Sequence, residues 1–188
     1  LAAAGGVQRA LAALAGIAAA PGVQAALTVK CALAAGAVTR ALVGDPAIQQ
    51  MDVVAGAPID RMAAAEQIAR PGEIVADAAF VGALGADAPV VEWLEQGGVR
   101  FARLAPVEGS PAAAVAPLPP LPNAGAWVIG PVAAAIRSGA EQFLAELRPA
   151  VALFVRFGGI LWERDPRASA RLDAWVRWAQ EVVAAQEG

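Results

Sequence analysis

Carboxylates and arginines are the side chains of this sequence that could do chemistry. Histidine is absent from the 188 residues, and Cys31 is the single cysteine. Within the chain this excludes a disulfide, a zinc cluster and a nucleophile activated by histidine. Cys31 lies in an alternating strand pattern, which favours a buried structural thiol, so we give it no catalytic role. Catalysis would have to use carboxylates, arginines or bound metal ions.

Two of the candidate carboxylates, Asp52 and Asp60, lie on either side of Gly56. The structural alternative for each is a carboxylate that caps a turn or the first turn of a helix. The helix dipole favours such a carboxylate by about 0.3 to 1 kcal/mol. The structural role is favoured for Asp60, whereas for Asp52 a structural and a functional role both stay open.

Arg156 is the third candidate, in the predicted strand VALFVRF at 151–157. It could dock a phosphate or a carboxylate at an interface between two domains. The alternative is a solvated arginine on the outer face of the strand, and both roles stay open. Gly158 and Gly159 do not form a phosphate loop, because neither the Lys-Ser/Thr of a P-loop nor a GxGxxG pattern is present.

Composition narrows the class of protein that could carry these residues. The apolar fraction is 58%, much of it alanine, and the net charge is −3. Without a basic excess there is no footprint for nucleic acid. Residues 10–29 carry no formal charge, but Pro21, Gly22 and Gln24 interrupt them, and a membrane-spanning helix needs about 20 predominantly apolar residues. We expect a cytoplasmic protein without a membrane span, and the first residue, Leu1, suggests that the chain begins inside a longer gene product.

The first half of the chain has an α+β pattern. Periodicity and turn residues predict a helix at 7–20, a hairpin of strands 27–33 and 38–43, a short strand ending at Gly56, a helix at 57–69, a strand at 73–76, a short helix at 77–84, and a second hairpin across Gly97-Gly98.

A proline-rich stretch separates this half from the C-terminal residues. SPAAAVAPLPPLPN at 110–123 contains five prolines and predicts an extended linker. Beyond it we predict a helix around 129–147, the strand at 151–157, and a last helix opened by Asp165-Pro166. Trp162, Trp175 and Trp178 are either an interface stripe or core residues.

Four ordered segments resemble the C-terminal half of a class III adenylate/guanylate cyclase domain. They are the hairpin AAGAVTRALVG with glycines eight apart, the strand to Gly56, the helix that follows it, and RPGEIVAD at 70–77. ELRPAVALFVRFGGI at 146–160 is similar to the first strand of such a domain. The chain therefore resembles a junction in a bacterial tandem cyclase of the soluble adenylyl cyclase type.

The resemblance implies a ferredoxin-like cyclase domain, in its C-terminal part, followed by a linker and the start of a second cyclase-like domain. Residues 1–109 would belong to the first domain, 110–140 to the linker with a short helix, and 141–188 to a second, degenerate domain. The two domains of the family face each other across the active site. The expected partner is thus the other cyclase domain of the same chain or a dimer partner, with no nucleic acid and no membrane.

The family's reaction is an intramolecular phosphoryl transfer on ATP or GTP, with two aspartates holding two metal ions. The resemblance implies Mg or Mn in the intact protein and none in this chain, because those aspartates belong to strands upstream of residue 1. In the second domain Arg156 occupies the aspartate position, and a cation there cannot hold a divalent metal. The ribose-orienting asparagine corresponds to Asp60, the phosphate-neutralising arginine to Ala64, and the purine contact to Asp52 and Val54.

Two functions and one structural alternative follow. The first is a fragment of a nucleotidyl cyclase that is inactive by itself. The second is a catalytically dead cyclase-homology module that binds a nucleotide or small anion, or pairs domains, and regulates an attached output region. The third is an unrelated α+β domain, which the ordered set of four segments disfavours.

Overall fold

The fold is given by a computed structural model, which describes residues 1–14, 16–20, 22–25, 27–109, 119, 123–139 and 153–186. In chain order the elements are α1 (Ala2–Ala12), β1 (Ile17–Ala20), β2 (Val23–Ala25), β3 (Cys31–Leu33), β4 (Thr39–Val43), β5 (Met51–Ala55), α2 (Ala57–Ile68), β6 (Ile74–Asp77), α3 (Ala78–Leu84), β7 (Val90–Gln96), β8 (Val99–Leu104), a short 3-10 helix (Ala124–Trp127), α4 (Gly130–Arg137) and α5 (Ala168–Ala184). The predicted α+β class is confirmed.

The chain forms two compact units. One comprises Leu1–Val38 and Gly56–Pro117, and the other comprises Thr39–Ala55 and Leu118–Gly188. These units do not coincide with a division at residue 109, because the β4–β5 hairpin groups with the C-terminal residues. The assignment of the chain to two cyclase-homology domains and a linker stays a prediction.

The first unit is built on a four-stranded sheet in the order β3-β6-β8-β7. β3 runs parallel to β6, whereas β6, β8 and β7 are antiparallel. Helix α2 packs on one face through Ala65 and Ala69, which contact Val75 and Phe101. The other face packs against α1 and α3 through a second apolar cluster. Because both faces are covered, every residue of β6 is buried.

The second unit pairs a two-stranded hairpin with the last helix. β4 and β5 are antiparallel, with Leu42 opposite Asp52. One face of the hairpin is apolar and packs on α5, where Ala41 and Val43 contact Leu172 and Val176. This places one apolar stripe of α5 against the hairpin.

The predicted helix at 7–20 is wrong beyond residue 12. Helix α1 ends at Ala12, and Ile17–Ala20 pairs with Val23–Ala25 as a small antiparallel hairpin. Gly16 has φ = 88°, in the left-handed region that a continuous helix does not use, so the helix must stop before it.

The predicted hairpin of 27–33 with 38–43 is also wrong, because its two strands lie in different sheets. β3 pairs with β6, and β4 pairs with β5. The residues between β3 and β4 do not form a tight turn: the Ala35 N–H donates to Asp77, and the Ala35 carbonyl accepts from Arg61. These contacts satisfy the loop's backbone groups without a hairpin.

Most of the elements after β4 agree with the predictions made from the sequence. The strand to Gly56, the helix after it, the strand and helix that follow, and the hairpin across Gly97-Gly98 are confirmed by β5, α2, β6, α3 and the β7–β8 pair. The helix near the C-terminus is confirmed by α5, which begins at Ala168.

Two C-terminal predictions differ from the structure or lie outside it. Residues 153–157 of the predicted strand form no strand and are exposed, because the described residues offer them no neighbouring strand. The predicted helix is present as α4 at Gly130–Arg137, while its residues 140–147, and all but residues 119 and 123 of the proline-rich stretch, lie outside the described residues. No helix in the described part of the chain is long and apolar enough to cross a bilayer.

Candidate functional site

Asp52 and Val54 lie on the exposed face of the hairpin, opposite to the face that packs on α5. They alternate along β5 with the less exposed Met51, Val53 and Ala55, and the Val54 side chain is 44% exposed. Arg40 on β4 lies diagonally across from Asp52, within reach of a long side chain. The two residues predicted to contact a purine are therefore neighbours on one surface.

The carboxylate of Asp52 is occupied by Arg40. The Arg40 Nε donates to both carboxylate oxygens at 2.8 Å, and its Nη2 lies 2.6 Å from Oδ2. The hydrogen bond from Arg40 is the main cause that lowers the pKa of Asp52, and the Arg40 charge lowers it further against the effect of partial burial. The same pair raises the pKa of Arg40. The position predicted to contact a purine thus holds an ion-paired carboxylate.

Asp60 lies in the first turn of α2 and is exposed. Its carboxylate has no hydrogen-bonding or ionic partner among the residues that the structure describes. Four residues later, Ala64 packs against the core cluster of Ala65 and Phe101. The position predicted to correspond to a phosphate-neutralising arginine therefore packs on the core and offers no positive charge.

Arg156 is exposed in a segment without regular secondary structure. Its neighbours Phe154 and Val155 are 93% and 55% exposed. Within the described part of the chain it makes no ion pair. The Arg156 side chain is thus exposed, and its role as a phosphate or carboxylate contact stays a prediction.

The candidate residues are divided between the two units. Asp52 and Val54 belong to the unit of Thr39–Ala55 and Leu118–Gly188, as does Arg156, whereas Asp60 belongs to the other unit. Among the described residues, no three side chains of His, Cys, Asp or Glu come together in a way that could hold a metal ion. The described residues therefore do not fit a two-metal site.

Sequence reasoning missed the buried ion pair of Asp77 and Arg61. Asp77 is 1% exposed, and its Oδ2 accepts from the Arg61 Nε at 2.6 Å. Its Oδ1 accepts from the backbone N–H of Phe80 at 2.7 Å and of Ala35 at 3.3 Å. Arg61 also donates to the Ala35 carbonyl at 2.9 Å. An aspartate between a predicted strand and helix is an N-cap signal that could have identified half of this arrangement.

A second missed set joins α5 to the turn after β4. Asp173 accepts from the Gly44 N–H, and Gln180 accepts from the Asp45 N–H, both at 2.8 Å. Burial alone would raise the pKa of Asp173, but the hydrogen bonds from Arg177 and Gly44, with the Arg177 charge, lower it. Because these partners are more than 100 residues apart in sequence, no local sequence pattern predicts the contacts between them.

No protein-family model, no curated protein and no solved structure matches this chain. The functional argument therefore rests on the residues and on their geometry.

Proposed function

We propose that the chain is part of a class III nucleotidyl cyclase-like protein, with a ferredoxin-like cyclase fold, that converts ATP or GTP into a cyclic nucleotide and pyrophosphate. The order of elements around Gly56 carries the proposal. β5 ends at Ala55, α2 follows Gly56 directly, and β6 begins after the turn at residues 70–73. These are three of the four segments on which the family resemblance depends.

In the proposed reaction the ribose 3'-hydroxyl attacks the α-phosphorus and pyrophosphate leaves. Asp60 suits a ribose contact, because it is exposed and its carboxylate is free of partners in the described part of the chain. Asp52 and Val54 are the proposed purine contacts. Mg or Mn is assigned to the intact protein, because the metal-binding aspartates of the family belong to strands upstream of residue 1.

A second function is favoured by the Arg40–Asp52 pair. A purine could reach the Asp52 carboxylate only by displacing a bidentate arginine, which is among the stronger hydrogen-bonded arrangements. Ala64 also supplies no charge for a phosphate. These features favour a catalytically dead cyclase-homology module that pairs with another cyclase domain, of the same chain or of a dimer partner, and regulates an attached region.

A turnover assay distinguishes the two functions. The full-length gene product and residues 1–188 alone are each incubated with ATP or GTP, in Mg or in Mn, and cyclic nucleotide is measured by mass spectrometry. We expect product from the full-length protein and none from residues 1–188. A full-length protein that gives no product under any of these conditions refutes the cyclase function and leaves the pairing module. Turnover by residues 1–188 alone refutes the assignment of the metal ligands to other residues.

A further inference from the structure

The unit of Thr39–Ala55 and Leu118–Gly188 contains a pocket that none of the predicted site residues lines. Its volume is about 620 Å³, and it lies among the loop after β4, the start of α4 and one side of α5. Pockets that take small molecules enclose about 300 to 1,000 Å³. The size is therefore that of a small-molecule site.

The described part of the pocket wall is apolar. Its larger side chains are those of Ile48, Met51, Ile129, Pro131, Trp175 and Val183, and none of the described lining residues is Asp, Glu, Lys or Arg. A charged ligand would lose hydration without gaining an ionic partner from these residues, which disfavours its binding. The wall therefore selects against charge.

Among the described lining residues, the polar side chains of Gln49 and Gln180 already have hydrogen-bond partners. The Gln180 Nε2 donates to the Gln49 carbonyl at 2.7 Å, and its Oε1 accepts from the Asp45 N–H at 2.8 Å. The Gln49 Nε2 donates to the Trp127 carbonyl at 3.4 Å. A ligand that fills the pocket does not need to satisfy these amides, and a strongly polar ligand would have to disrupt them.

Trp175 gives the wall a fixed aromatic surface. Its ring packs on Phe157 with the centroids 4.4 Å apart and the planes tilted by 34°. Met51 also lines the pocket, and a thioether adapts its shape and contacts aromatic rings favourably. A rigid indole, a proline ring and an adaptable methionine suit a flat aromatic guest.

We propose that this pocket binds a neutral aromatic small molecule. Its ring would pack between the Ile129–Pro131 segment and α5, so a bound ligand would hold α5 against that segment. The site lies apart from the cyclase-like residues of the proposed function, and it does not depend on that function.

The neutral fluorophore N-phenyl-1-naphthylamine tests the proposal on the full chain, because its emission rises when it leaves water for an apolar site. We expect a saturable rise that fits one probe per chain, together with a higher melting temperature at saturating probe. Val183→Glu places a carboxylate in the wall and should weaken binding at least about tenfold. Val182→Glu is the matched control, since Val182 and Val183 are 47% and 42% exposed but only Val183 lines the pocket.

A second pair of variants keeps the test independent of charge. Ala179→Phe fills the pocket and should abolish saturable binding, whereas Ala174→Phe lies on the exposed side of α5 and should leave it unchanged. Circular dichroism shows whether each variant folds. The proposal is overturned if the wild-type signal does not saturate, or if both members of either folded pair bind the probe equally well.

Discussion

The carboxylate of Asp77 is buried and accepts hydrogen bonds from three parts of the chain. The donors are the Arg61 side chain of α2, the Phe80 N–H in the first turn of α3, and the Ala35 N–H in the loop after β3. Such an arrangement is costly to break on one side, because the remaining arginine would be left unpaired in a poorly solvated place. It is a structural ion pair, and both of its charged partners make further hydrogen bonds within the unit.

Replacing Asp77 by Ala should therefore destabilise the first unit by about 3 kcal/mol, near the lower end for a broken buried pair because the Arg61 side chain is 29% exposed. Asp77→Asn should cost less, since an amide oxygen can still accept from Phe80. Urea unfolding measures both. The control is Asp87→Ala in an exposed turn, expected within about 0.5 kcal/mol of wild type, and equal losses in the Asp77→Ala and control variants would contradict the prediction.

The Arg40–Asp52 pair predicts a pH effect of known sign. Arg40 lowers the pKa of Asp52 below its ordinary value of 3.8, so the pair's stabilisation is present above pH 3.8 and is lost as the pH falls through the lowered value. Arg40→Ala should return the pKa of Asp52 towards its ordinary value, as measured by a carbon-13 NMR titration of the side-chain carboxyl. An unchanged Asp52 titration in Arg40→Ala would show that the ion pair is not the cause.

At the scale of the element, the β4–β5 hairpin depends on the turn at Gly44. This glycine has φ = 97°, and a Cβ on it would collide with the Gln49 carbonyl oxygen. Any side chain there is both strained and in collision with backbone, which cannot move aside as a flexible side chain can. The Gly44 N–H is also the donor to Asp173 on α5.

Gly44→Ala should destabilise the second unit by about 1 to 3 kcal/mol, the usual cost of backbone strain, and the collision with backbone should increase this loss. Gly82→Ala is the control, because Gly82 lies within α3 with open space around its Cα. That control should stabilise the protein by about 0.5 to 1 kcal/mol. Urea unfolding separates the two outcomes, and a loss in both variants would mean that alanine substitution itself, not the turn, is responsible.

The same hairpin shows what the sequence could and could not predict. Residues 51–56 and 57–69 have strong local signals, a short apolar strand and then a proline in the first helical turn after a glycine, and both elements are present. The pairing of strands has no local signal. The apolar runs at 27–33 and 38–43 suit a hairpin, but in the structure they form strands of two different sheets. The loop between them is held by hydrogen bonds of Ala35 with Arg61 and Asp77, which are distant in sequence.

The candidate site could also be predicted only in part, because some of its contacts join residues that are distant in sequence. Sequence reasoning could select Asp52, but not the partner on β4 that holds its carboxylate, because that contact depends on strand register. It could select Asp60 as an exposed carboxylate of a first helical turn, since local chain order decides that. The contacts of Asp173 and Gln180 could not be predicted, because these residues contact the turn after β4 across more than 100 residues of sequence.

At the scale of the whole molecule, the two units should respond to core mutations separately. Leu172 is 3% exposed in the core between α5 and the hairpin, and Phe101 is fully buried in the core between α2 and the sheet. Leu172→Ala should cost about 2 to 5 kcal/mol and Phe101→Ala about 3 to 5 kcal/mol. Because the two residues belong to different clusters, each loss should stay within its own unit.

Hydrogen exchange with mass spectrometry reads this out segment by segment. Leu172→Ala should speed exchange in β4 and β5 and leave β6 and β8 protected, whereas Phe101→Ala should do the reverse. A division at residue 109 makes the opposite prediction for the first variant, since β4 and β5 would then share a cooperative unit with β6. Protection of the hairpin that survives Leu172→Ala would thus favour the sequence-based division, and its selective loss would establish that the last helix is what holds the hairpin in place.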